Sequence, residues 1–281
     1  MNRAGDLAPE GAMFSLDYFS WEVRSKLIAA GLFFYVGVFV SSHWLSTFFS
    51  ATYRSLPAKE KVFWSLAVTR AVFGVQCSMA GVWALTDPFL NADRILGQQA
   101  WSWFNLLTAC GFFLFENIAL HLSNVIFWMC DLFLAVHHFF ALIGFCGAVV
   151  YGTIGHYLPM VTLLLEISTP FTCISWMLLK AGWSQSLFWK ANQWIMIHLF
   201  HCRMVLTYHL WWVCIWNWDR LVTFFPIAYL AFFFIGLTLL TFILNPYWTY
   251  KKTQQLLNPM DWNFQSANLS GNGKGVKGKR T

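Results

Sequence analysis

Leu132-Phe-Leu-Ala-Val-His137-His138-Phe-Phe-Ala-Leu-Ile-Gly-Phe-Cys-Gly-Ala-Val-Val-Tyr151 is a run of twenty residues without one Asp, Glu, Lys or Arg, and two adjacent histidines sit inside it. Wound as a helix, such a run spans roughly the 30 Å of a bilayer's hydrocarbon layer. It shows none of the period-two alternation of a membrane β-strand. The stretch decides the fold class, because apolar runs like it recur along the chain at about 27–49, 62–85, 100–121, 131–152, 157–180, 188–216 and 222–244. Pro170 is expected to kink or break the fifth of them.

The composition agrees. The chain of 281 residues is 58% hydrophobic and 20% aromatic but only 11% charged, against about 25% charged in soluble domains. A soluble enzyme, a secreted disulfide scaffold and a disordered chain are excluded. The expected fold is an all-α polytopic membrane protein of about seven transmembrane helices. Residues 1–24 lack an apolar core, so no cleavable signal peptide is expected there. Residues 25–61 read as the first transmembrane helix with a loop, 62–262 as the main helical domain, and the Gly-, Ser- and Lys-rich 263–281 as a disordered tail. The seven cysteines form no CxxC and lie mostly in apolar runs, as small buried hydrophobes do.

The net charge of +6 does not point to nucleic acid, because Lys251, Lys252, Lys274, Lys277, Lys279 and Arg280 all follow the last apolar run. Basic residues mark the cytosolic flank of membrane helices. With the C-terminus in the cytosol, 11 Lys and Arg fall on that side and 5 on the other, Arg70 and Arg203 lying within helices. Residues 1–24 are then luminal, and the sequon Asn268-Leu-Ser270 is out of reach of glycosylation. Lys277 and Lys279 stand in the KxKxx position that coat proteins read to retrieve membrane proteins to the endoplasmic reticulum. A solvated basic tail is the other reading.

Ionisable side chains at membrane depth are costly, and they mark functional sites or pair as structural glue. The candidates are Arg70, Glu116, His121, Asp131, His137, His138, Glu166, His198, His201, Arg203 and His209. At about 100° per residue Asp131 and His138 share a helix face two turns apart, and His137 points to one side. A carboxylate near a histidine fixes its tautomer and raises its basicity. Glu166 precedes Ser168-Thr169-Pro170, where a broken helix beside a buried carboxylate would make a cavity wall. His198, His201 and His209 return to one face and are expected to turn it inward.

No metal site is expected, since di-iron membrane enzymes need repeated HxxxH boxes and only one HxxH is present. Acid–base or nucleophilic histidine chemistry suits an isolated pair better. The GxGxxG string at Gly273–Gly278 lies in the polar tail, with no strand before it, and is a chance match.

The His137-His138 pair, Glu166-Ile-Ser-Thr-Pro-Phe171 and the distal Asn192-Gln-Trp…His198…Arg203 resemble the TLC-domain family of membrane proteins. Ala51-Thr-Tyr-Arg54-Ser-Leu, Thr69-Arg70-Ala-Val-Phe-Gly-Val-Gln76, Met177-Leu-Leu-Lys180-Ala-Gly-Trp183 and the run Asn245–Pro259 extend that resemblance over nearly the whole chain. It implies a bundle or barrel of six helices over about 62–262, and residence in the endoplasmic reticulum with cycling through the intermediate compartment to the Golgi. It also implies one of two functions, or both. In the first, a fatty acyl chain passes from acyl-CoA, a co-substrate rather than a bound cofactor, to a polar lipid. The related ceramide synthases do this at an adjacent histidine pair, which falls here on His137 and His138. Their downstream acidic run is missing except for Glu166, which favours a glycerophospholipid-type acceptor over a sphingoid base. His138 would then be base or nucleophile, oriented by Asp131 or Glu116, while Arg70, Arg203 and the further histidines bind substrate. In the second function the protein gathers newly made lysosomal enzymes for export. It would do so through the loop 86–99 and with another membrane protein of the endoplasmic reticulum, returning by its dilysine tail.

Overall fold

The computed structural model describes residues 16–128, 132–262 and 264. Within them the chain folds into seven long helical units: α1 (Trp21–Phe49), α2 (Ala58–Thr86), α3 (Ala100–Phe127), α4 (Leu132–Tyr151), α5 (Tyr157–Lys180), α6 (Leu187–Trp216) and α7 (Ile227–Leu257). Short helices at Ala51–Ser55, Pro88–Ala92 and Trp218–Phe224 connect them, and no strand is present among the described residues. All but α6 are long and apolar enough to cross a membrane. Hydrocarbon offers the backbone no hydrogen bonds, so a chain of this composition must close them within helices. The outer surface is correspondingly apolar, with Phe34, Trp44, Val125 and Phe242 exposed.

Six expected windows coincide with these helices; the seventh is shifted. The reading 222–244 begins instead at Ile227, because Pro226 separates it from the short helix before it. It continues to Leu257 through one π turn at Leu240–Leu244, just ahead of Pro246, which cannot donate to a regular ladder. Pro170 acts as expected. Within α5 the winding tightens to a 3₁₀ stretch at Leu164–Ser168 and resumes as α-helix at Thr169.

The helices α2, α3, α4, α7, α6 and α5 contact one another in that order and close into a ring, with α1 outside it against α3 and α2. Contact is sparse between α4 and α7. Glycines set two crossings. A Cβ at Gly111 of α3 would run into the Ile28 carbonyl oxygen of α1. One at Gly74 of α2 would lie 2.7 Å from Pro170 Cδ and 3.1 Å from the Glu166 carbonyl oxygen, so α2 lies directly on the 3₁₀ stretch.

Charges gather at the two ends of the ring. At one end Lys180 bridges Asp261 (2.6 Å) and Glu60 (2.9 Å), and Trp176 Nε1 donates to Asp261 Oδ1. At the other, Arg220 pairs with Asp93 at 2.9 Å, and Arg24 donates to the carbonyls of Tyr18 and Val149. The loop 86–99 is folded against this second end. Asp87 caps the helix Pro88–Ala92 and accepts from the Trp101 indole, and Leu90 and Ile95 are fully buried.

Candidate active site

Inside the ring lies a cavity of about 180 Å³, roughly ten times the space one water needs. Its wall carries Arg70 from α2, His137 and His138 from α4, Glu166, Thr169 and Cys173 from α5, Arg203 from α6 and Trp248, Lys251 and Lys252 from α7. Four cations thus face one carboxylate. Arg203 is 3% exposed and donates through Nη1 to Ser168 at 2.9 Å, while its Nε and Nη2 make no hydrogen bond among the described residues. The cavity reaches the end of the ring where Gln255 and Trp262 line it.

Two carboxylates serve the histidine pair in different ways. Glu116 is fully buried on α3 and accepts from both Arg70 Nε (2.8 Å) and Arg70 Nη2. His138 Nε2 stands 3.8 Å from the same Glu116 oxygen. Asn117 donates to the His138 carbonyl oxygen at 3.0 Å and so joins α3 to α4 at this point. Glu166 accepts from His137 Nε2 at 3.3 Å and, on its other oxygen, from Thr169 Oγ1. The 3₁₀ winding turns Glu166 toward α4, and Trp248 meets the His137 ring edge-on at 5.3 Å.

A second, apolar cavity of about 90 Å³ adjoins this one in the sparse seam between α4 and α7. Phe113, Phe140, Gly144, Tyr229, Phe233 and Gly236 are among its walls. His137 and Glu166 border both cavities, whereas His138 borders only the polar one.

The site therefore unites Arg70, Glu116, His137, His138, Glu166 and Arg203, as the sequence led one to expect, from five helices. Asp131, Lys277 and Lys279 lie outside the described residues. The remaining histidines correct the expectation. His121 is exposed on α3 and does not line the cavity. His198 and His201 are exposed on the outer side of α6, opposite to the inward stripe expected of them. His209 belongs to a separate cluster, its Nε2 2.8 Å from the Tyr157 hydroxyl. The outward positions of His198 and His201 follow from the facing of α6, which turns Asn192, Gln193, Met196, Phe200, Arg203 and Thr207 inward. Sequence reasoning missed Thr169, Trp248, Lys251 and Lys252 as site residues. The lysine pair was legible as a charge mark, and its entry into the cavity depends on α7 running past Asn245. Among the described residues no three metal-ligating side chains converge, and six cysteines are free thiols.

The site is thus a ring of membrane helices around an adjacent histidine pair, His138 buried and His137 partly so. The TLC-domain profile matches residues 33–253, and the chain belongs to the TLC-domain family. Within it the relatives are full-length. The chain is 62% identical over 285 residues to Protein CLN8 of Homo sapiens, covering all of both chains. It is 63% identical to Protein CLN8 of Canis lupus familiaris, covering 99% of this chain and 98% of the relative. It is 64% identical to Protein CLN8 of Mus musculus, covering 92% and 91%. No solved structure matches the chain.

Proposed function

We propose that this protein is an acyltransferase of the endoplasmic-reticulum membrane, moving a fatty acyl chain from acyl-CoA to a hydroxyl of a polar, phosphate-bearing lipid acceptor. One observation carries the reading: a cationic cavity and an apolar cavity meet at the His137–Glu166 pair. The apolar space suits the acyl chain. Phosphate groups suit Arg203, Lys251 and Lys252, the guanidinium offering a fork of donors and the lysines compact charges. The Lys251 end, cytosolic by the distribution of basic residues, suits the approach of acyl-CoA.

In this mechanism His137 takes the central role, ahead of His138. Glu166 accepts from Nε2–H, which leaves the lone pair on Nδ1 to remove the acceptor's hydroxyl proton. The oxygen attacks the thioester carbonyl, the carbon–sulfur bond breaks, and the imidazolium returns the proton to the departing thiolate of CoA. His138, backed by the Arg70–Glu116 pair, shapes the wall beside it. The export of lysosomal enzymes is compatible with this activity, and the dilysine Lys277 and Lys279 would serve retrieval in either case.

The test is acyl transfer by the purified full chain in nanodiscs, with labelled acyl-CoA against glycerophosphodiester, lysophospholipid and sphingoid acceptors. His137→Ala is expected to abolish turnover and His138→Ala to reduce it, with both variants still monodisperse. Undiminished turnover in His137→Ala sinks the mechanism. No turnover on any acceptor by folded wild-type protein sinks the activity.

A further inference from the structure

The outer face of α6 poses a problem that acyl transfer does not use. A helix of 30 residues rises about 45 Å, so His198 and His201 fall close to its middle, at the depth of the hydrocarbon core. Both side chains point away from the ring, among the exposed Trp194, Ile195 and Val205. Polar groups at that depth are normally turned toward protein or water. Here they face outward, on the one long helix too polar to qualify as a span by composition.

Their hydrogen bonds fix what would cover them. His198 Nδ1 lies 2.8 Å from the Trp194 carbonyl oxygen and His201 Nδ1 lies 2.8 Å from that of Ile197. A carbonyl only accepts, so each Nδ1 carries the ring hydrogen. In the neutral ring each Nε2 is then a lone-pair acceptor. The two rings, 6.4 Å apart on neighbouring turns, present two acceptors to an environment without donors.

We propose that this face docks a transmembrane helix of another protein that presents hydrogen-bond donors, hydroxyl or amide side chains, at mid-membrane depth. A second copy docked through the same face about an axis normal to the membrane would set acceptor against acceptor, which gives neither partner a bond. Lipid chains supply no donor at all. The apolar residues around the pair, Ile195 and Val205 among them, provide the close packing on which helix association in lipid depends.

The experiment places full-length protein in vesicles with labelled leucine-based transmembrane peptides of about 20 residues. One peptide carries a single central Asn and the other is all leucine, and association is read by energy transfer. The Asn peptide is expected to bind wild-type protein about threefold to tenfold tighter than the all-leucine peptide. In His198→Leu/His201→Leu the difference is expected to vanish, with helicity and monodispersity unchanged. A photo-crosslinker at Val205 in native membranes provides the second arm. Its adduct should be a transmembrane segment with a donor side chain within one turn of the crosslink, lost in the double leucine variant. Equal binding of the two peptides overturns the proposal. So does an adduct that is a second copy of this chain, lipid alone, or unchanged by the leucine substitutions.

Discussion

Glu116, buried, and Glu166, partly buried, each stand beside a histidine, yet their surroundings divide their work. Glu116 is committed to Arg70, and removing one partner of such a pair strands a charge in the interior. Arg70→Ala is therefore expected to cost about 3–5 kcal/mol of stability, and Arg70→Met/Glu116→Leu far less, measured by thermal unfolding in detergent. Glu166 keeps its oxygens for His137 and Thr169. Glu166→Gln preserves the shape and loses the charge that orients the ring. It should lower kcat about tenfold to a hundredfold while KM hardly moves, part of the roughly 10²–10⁴-fold that acid–base catalysis supplies. A change confined to KM would mean that Glu166 binds substrate and does not position His137.

At the scale of helices, the contact between α2 and the 3₁₀ stretch is the joint that aims Glu166. Gly74→Ala pushes a methyl group into Pro170 and should cost about 1–3 kcal/mol along with acyl transfer. Gly37→Ala on α1 meets nothing within 4 Å and should be neutral or slightly stabilising, as helix propensity dictates. A cost at Gly37 matching that at Gly74 would show that the loss at Gly74 does not come from its contact with Pro170. The helices themselves were legible because 20-residue apolar runs have few other fates. The direction each one faces was not. A helix between lipid and a packed core is apolar on both sides, so spacing shows which residues share a face but not which way that face turns. His198 and His201 were misread for this reason, whereas Arg203, two residues further, was placed correctly. The His137–Glu166 contact joins residues 29 apart, and only the winding at Leu164–Ser168 and the closure of the ring bring them together. The histidine pair was legible in the apolar run itself; that Glu166 would be the partner of His137 was not.

For the molecule as a whole, the end opposite the polar cavity holds a titrating lock. His156, fully buried where α3, α5 and the loop 86–99 meet, bonds Ser102 at 2.7 Å. Burial, helped by the nearby Arg24 charge, pulls it down to about 3 from its ordinary 6.5. The unfolded chain takes up a proton below pH 6.5 that the folded one refuses until about pH 3. Stability contributed by the neutral ring is complete above that window and falls by about 1.4 kcal/mol per pH unit within it. His156→Gln should flatten the decline of the unfolding midpoint between pH 6 and pH 5, and an unchanged slope would assign the decline to other groups. The seam between α4 and α7 has a different consequence. Phe140, Phe232 and Gly236 line the apolar cavity there and remain partly open to the outside of the ring. An acyl chain of the proposed reaction, lodged at that seam, would exchange sideways with the plane of the bilayer. For the proposed transfer this makes supply of the chain two-dimensional while the CoA head enters from the cytosolic end: saturation is then expected to follow the mole fraction of lipid-borne substrate within the leaflet, and diluting the membrane with inert lipid should slow turnover although the bulk concentration stays constant.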